Sequence, residues 1–160
     1  MDIKDAVKRS MQTEKNAMDF YTRVAAECNN EKARKVFELL AREEKEHAHW
    51  FYDVYPGEDI NFDTFIDADA DKGSDWLSDL DKVKAGELNE KKAMELAMEK
   101  EKKLEEHLRA MAAKIEDPEV RKVFEDNARS TANHYVLIES EYARIMGMVH
   151  ESDIDTYVRE

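Results

Sequence analysis

The stretch Arg34-Lys35-Val36-Phe37-Glu38 recurs unchanged at Arg121-Lys122-Val123-Phe124-Glu125, an offset of 87 residues. The same offset pairs Ala6 with Ala93, Glu14-Lys15 with Glu101-Lys102, Ala41-Arg42 with Ala128-Arg129, His47 with His134 and Tyr55 with Tyr142. Identities held in register at so many separated points mark a duplicated unit. The chain is therefore expected to fold as two copies of one motif packed against each other.

Only 4 Gly and 2 Pro in 160 residues leave too few turns for a many-stranded β protein. Helical periodicity fills both copies. The first helix is expected from about Asp2, its N-cap, to Cys28. The second follows Asn29-Asn30 and runs to about Tyr55, where Pro56-Gly57 stops it. The third opens at Asn89, with Leu88 and Ala93 placed as a hydrophobic staple. The fourth opens at Asp117-Pro118-Glu119, a cap, an N1 proline and a first-turn acid, and is expected to end at Gly147. The first and third connections are tight, as helical hairpins need. The middle one, 56–88, is long and acidic, with a short helix expected from Ser74 to Val83. It is long enough to run the height of a bundle, so simple up-down order is not required. The expectation is one all-α four-helix bundle over 1–146, made of hairpins 2–55 and 89–146, the crossover 56–88, and a short tail over 147–160.

Composition narrows the function. With 25 Lys and Arg against 38 Asp and Glu, the net charge is −13, which argues against binding nucleic acid or an anionic membrane surface. One cysteine, Cys28, excludes an internal disulfide framework and a Cys-x-x-Cys knuckle. No apolar run nears the roughly 18–20 residues of a membrane span, and no signal-peptide core is visible, so a cytoplasmic location is the expectation.

Each helix carries an inner stripe at alternating three- and four-residue steps. The stripes are Ile3, Val7, Ser10, Glu14, Ala17, Tyr21, Val24, Cys28; Ala33, Phe37, Leu40, Glu44, His47, Phe51, Val54; Met94, Ala97, Glu101, Leu104, Leu108, Met111, Ile115; and Val120, Phe124, Asn127, Thr131, His134, Ile138, Ile145. All are apolar at the ends and polar in the middle. Glu14, Glu44, Glu101, Thr131 and the two histidines should therefore meet at mid-height. Burying isolated carboxylates costs many kcal/mol unless they neutralise or find a cation, and no Lys or Arg sits mid-stripe. A divalent metal is the cation that fits. Glu44 and His47, three apart, project to one point, the Glu-x-x-His device of carboxylate-bridged bundles. Two plainer readings compete: the glutamates lie at the rim if the helices rotate by one position, or the histidines are satisfied core residues. Tyr21 reads as a core anchor or as a hydrogen-bond donor near the site. Glu43 and Glu99 read as facing solvent or backing the ligands. Asp67, Asp69 and Asp71 resemble the start of a calcium loop but lack its turn glycine and twelfth-position Glu, so a solvated acidic loop is expected.

At these residues the chain resembles the rubrerythrin branch of the ferritin-like superfamily. The resemblance spans roughly Asp2 to Met146. It is carried by Glu14-Lys15-Asn16-Ala17-Met18-Asp19-Phe20-Tyr21, by Ala41-Arg42-Glu43-Glu44-Lys45-Glu46-His47, and by Glu101 and His134. It implies a ferritin-like bundle in which Glu14 and Glu101 are terminal metal ligands, Glu44 is a bridging carboxylate, and His47 and His134 supply nitrogen. It further implies iron, two per chain or one, with Mn or Zn as other ions the ligand set accepts. The implied activity is oxidoreductase chemistry toward peroxide or dioxygen, in a protein whose relatives pair as homodimers. Three departures stand out. The fourth helix reads Thr131-x-x-His134 where the family has Glu-x-x-His, so one bridging carboxylate is replaced by a residue suited only to hydrogen-bonding a metal-bound water. Leu104 occupies the place of a further helix-three Glu. One cysteine cannot build a four-cysteine iron centre, so electrons are expected from a separate protein such as a rubredoxin, or from small reductants. The rival expectation is a bundle without turnover that binds metal or another protein; iron storage, which needs a cage, is a third.

Overall fold

The computed structural model describes the backbone of residues 1–82 and 89–158 and the side chains of 1–82 and 89–147. Among them are six helices and no strand: α1 (Ile3–Glu27), α2 (Glu31–Asp53), α3 (Phe62–Asp67), α4 (Asp75–Asp81), α5 (Glu90–Lys114) and α6 (Pro118–Val158).

Side-chain caps start the long helices. Asp2 Oδ1 accepts from the Asp5 amide at 3.2 Å, Asn30 Oδ1 from Ala33 at 3.0 Å and Asn89 Oδ1 from Lys92 at 2.9 Å. Asp117 Oδ1 takes the amides of Glu119 and Val120 at 3.0 and 3.1 Å, just before Pro118. Each cap satisfies donors that a helix start leaves without a partner. Leu88, expected to staple the α5 cap, lies outside the described residues.

α1 packs along α2 and α5 along α6, giving the two hairpins that the repeat requires. The hairpins meet through side chains. At one end Glu90 Oε1 on α5 accepts the amides of Asn29 and Asn30 at 3.1 and 3.0 Å, tying the α1–α2 turn to the start of the second hairpin. Phe51 and Phe124, one from each copy, meet edge to face at 4.9 Å. Apolar side chains including Val7, Met11, Phe37, Leu40, Met94 and Leu108 are buried above and below the middle of the bundle.

The crossover holds more structure than the sequence suggested. α4 forms where a helix was expected, capped by Ser74, and packs on α1 and α5; the expected end at Val83 lies outside the described residues. α3 was not anticipated. Asn61 caps it at Thr64, and it buries Phe62 and Ile66, an i,i+4 apolar pair on a two-turn element too short for periodicity to reveal. α2 ends at Asp53, slightly ahead of Tyr55.

One boundary needs correction. α6 does not stop at Gly147; it continues to Val158, so 147–158 prolongs the fourth helix instead of forming a separate tail. A helical glycine lowers stability by only about 1 kcal/mol relative to Ala, and terminates a helix only when it takes up a left-handed cap. No helix among the described residues is long and apolar enough to cross a membrane.

Candidate metal centre

Glu14, Glu44, His47, Glu101, Thr131 and His134 come together in the middle of the bundle, each no more than 2% exposed. Helix phase is the reason. Each residue lies on the buried stripe of its helix, and the duplication brings the stripes to the same height. Reading Glu14 and Glu101 as rim residues is thereby excluded.

Both imidazoles point Nδ1 inward. His47 Nδ1 lies 3.6 Å from Glu14 Oε2 and 3.7 Å from Glu44 Oε1. His134 Nδ1 lies 2.8 Å from Glu44 Oε1 and 3.7 Å from Glu101 Oε1. The rings stack nearly parallel, 6° apart with centroids at 5.0 Å. Glu44 thus faces both histidines, while Glu14 serves one and Glu101 the other. Ligand atoms of Glu44, His47 and His134 all fall within 4.8 Å of one another, a grouping able to hold a metal ion.

The outer nitrogens are also engaged. His134 Nε2 is 3.1 Å from Glu43 Oε1, and His47 Nε2 is 2.7 Å from Ser130 Oγ. Tyr21 donates its hydroxyl to Glu101 Oε1 at 2.6 Å, which makes it a donor to the cluster as well as a core residue. Its ring leans on Phe37 and on Trp76 from the crossover.

What is left without a partner is informative. Both oxygens of Glu14, both of Glu44, Oε2 of Glu101, Nδ1 of each histidine and Oγ1 of Thr131 are buried and make no aligned hydrogen bond. Buried polar atoms are nearly always satisfied, so orphans concentrated in one layer mark a place for a cation. The buried lysines do not supply it: Lys15 pairs with Asp19 and Lys100 with Asp79. Oxygen and imidazole donors at this spacing fit a divalent ion such as iron, manganese or zinc.

Without such an ion, protons must do its work. Burial, and then the neighbouring charges of Glu14 and Glu101, push the Glu44 carboxyl well above its ordinary range. Burial would raise Glu14 too, but the neighbouring His47 imidazole, with Glu44, holds it low. For His134 burial pulls downward, yet Glu101 and Glu44 outweigh it and lift the imidazole to about 11. Burial and the Glu101 charge keep the Tyr21 hydroxyl protonated.

Among the described residues, the acidic positions 67, 69 and 71 and His49 stay outside the cluster. Asp67, Asp69 and Asp71 are exposed, with Asp71 Oδ1 accepting from the Gly73 amide at 3.0 Å in a local turn. His49 sits at the surface near Asp53. Sequence reasoning placed Glu43 only loosely and overlooked Ser130, although the offset of 87 that pairs the histidines also pairs these two.

Comparison with known proteins adds one finding. The rubrerythrin family model matches residues 5–142. No curated protein and no solved structure gives a match.

Proposed function

The chain belongs to the rubrerythrin family, and on that footing we propose that it is a di-iron carboxylate oxidoreductase acting on peroxide or dioxygen. The observation that carries the reading is the layer of orphaned carboxylate oxygens facing two imidazole Nδ1 atoms, without Lys or Arg in the middle of any stripe. Glu14, Glu44 and His47 would hold one ion, and Glu101, Glu44 and His134 the other. Iron bound there supplies redox chemistry toward peroxide or dioxygen.

The protein's own groups set the conditions. Three carboxylates offset three of the four positive charges of two ferrous ions. Tyr21 fixes the rotamer of Glu101, and the stacked rings of His47 and His134 keep both Nδ1 atoms aimed inward. The apolar layers above and below exclude water, which strengthens every charge interaction inside. The 160 residues hold one cysteine, so reducing electrons come from a group outside them, a partner protein such as a rubredoxin or a small reductant.

Thr131 favours a second reading, because it removes the carboxylate that would match Glu44: a bundle that binds metal without turnover. Anaerobic loading with Fe²⁺, desalting and elemental mass spectrometry decide between them, with Glu44→Ala as control. About two irons per chain, lost in the control, together with peroxide-dependent oxidation, support the enzyme. Bound iron inert to peroxide supports the second reading, and no iron removes both.

A further inference from the structure

Each histidine of the cluster is held on its outer side by the opposite hairpin. His134 on α6 meets Glu43 on α2, and His47 on α2 meets Ser130 on α6. Positions 43 and 130 are equivalent in the repeat, so one geometric device occurs twice with different chemistry. A histidine that offers the Nδ1 lone pair to a metal carries its proton on Nε2. Glu43 Oε1 and Ser130 Oγ are then the acceptors of the two Nε2–H groups.

The acceptors are unequal. A carboxylate accepting from an imidazole forms a charge-assisted bond, roughly twice as strong as one to a neutral hydroxyl. It also raises the basicity of the ring and fixes its tautomer and orientation; loss of such a partner commonly costs about 10–100-fold in metal affinity. Ser130 offers His47 a neutral, rotatable oxygen.

A second inequality points the same way. Glu44 approaches His134, across the bundle, more closely than His47 on its own helix, 2.8 against 3.7 Å. Thr131 is the repeat mate of Glu44, so the carboxylate missing at 131 is the one that would reach across to His47. The His47 side has thus lost an inner carboxylate and has the weaker outer acceptor.

We propose that the centre is built as two unequal positions, in which His134, Glu44 and Glu101 take the first divalent ion and Glu43 is the positioning residue that makes this position the tighter one. The position of His47, Glu44 and Glu14, backed by Ser130, fills second. The inference rests on the metal-centre reading above. It adds an order of filling and a role for a carboxylate that is itself no ligand.

Cobalt(II) is the probe, titrated into the full-length wild-type chain, Glu43→Ala, Glu43→Gln and Ser130→Ala. Absorbance and calorimetry give the stepwise affinities, and proton NMR shows the paramagnetically shifted, exchangeable imidazole N–H. In Glu43→Ala the first step weakens about tenfold or more and its N–H signal exchanges faster with water. Glu43→Gln, which keeps an uncharged acceptor, falls between. Ser130→Ala leaves the first step within about twofold and weakens only the second. Glu43 reaches the surface, with a side chain 36% exposed, and metal-free variants are expected to melt with the wild type; Glu43→Gln carries the comparison if the alanine variant does not. A first step unchanged in both Glu43 variants, or weakened equally by Ser130→Ala, overturns the proposal. If wild type takes up no cobalt, the metal-centre reading itself is what fails.

Discussion

Tyr21 on α1 and Glu101 on α5 are joined by a 2.6 Å hydrogen bond that crosses from one hairpin to the other inside the polar layer. It is the one aligned hydrogen bond among the described residues that engages a carboxylate oxygen of the proposed ligands. Removing a buried donor to a charged acceptor is worth about 1.5–3 kcal/mol. Tyr21→Phe is therefore expected to lower the stability of metal-free protein by about 2 kcal/mol in urea unfolding with an unchanged slope. A loss below about 0.5 kcal/mol would show that Glu101 finds another donor.

Trp76 connects the crossover to that bond. It is buried against Phe20 at 5.3 Å and Tyr21 at 5.9 Å, both edge to face. Lys100 on α5 pairs with Asp79 on α4 and fixes the same short helix from the other side. Trp76→Ala should cost about 3–5 kcal/mol, the usual range for deleting a buried aromatic. Denaturant midpoints check it, and a near-neutral result would mean that α4 can leave the bundle without disturbing Tyr21.

The four long helices could be read from the chain because three signals agreed: the repeat, the caps at Asp2, Asn89 and Asp117, and stripes in one phase. The meeting of Glu14, Glu44, His47, Glu101 and His134 followed from that phase and from their place near the middle of each helix, since mid-helix residues of antiparallel neighbours share a height. What could not be read was decided by short-range or cross-hairpin packing. α3 has only Phe62 and Ile66 to announce it. Gly147 reads as a stop, yet whether a glycine ends a helix depends on what the following backbone does. Ser130 looks like any surface serine until the fold sets it against His47. Trp76 sits in an acidic segment whose partners, Phe20 and Tyr21, are more than fifty residues away.

Thr131 is the position where an added ligand has a defined place. It is buried with its hydroxyl oxygen unpartnered, at the repeat mate of Glu44. Thr131→Glu is expected to tighten the weaker of the two Fe²⁺-binding steps. It should also destabilise metal-free protein, because a fourth buried carboxylate joins the layer. An unchanged weaker step in a folded variant would show that Thr131 does not stand in for a ligand.

Metal should stabilise the fold. A ligand that binds only the native state at about a thousand times its dissociation constant adds about 4 kcal/mol. For a chain of this size that corresponds to roughly 8–16 °C in melting temperature. Scanning calorimetry with and without Mn²⁺, which avoids oxidation during heating, measures it. Glu44→Ala should abolish the difference, and equal melting points for loaded and metal-free wild type would argue against a shared carboxylate layer.

The pH dependence follows from His134 and Glu44, and both act in one direction. His134 has a folded value of about 11 against an ordinary 6.5, so its stabilising charge is fully present below about pH 6.5. That contribution declines as the unfolded chain gives up its proton and is gone once pH passes through the folded value. Glu44 is raised above 4.5 by burial and by the charges of Glu14 and Glu101, so it too makes the native state hold a proton that the unfolded chain has released. Glu14, held low, works the opposite way and withdraws stability only as pH falls below the ordinary carboxylate range. Metal-free protein should therefore be most stable near pH 5–6 and melt progressively lower toward pH 9. Metal must displace the His134 proton, so apparent affinity should climb across the same interval, with protons released to buffer on binding. Calorimetric titration in two buffers of different ionisation enthalpy reads that release directly. A proton count of zero at pH 7 would mean that His134 is neutral before the metal arrives.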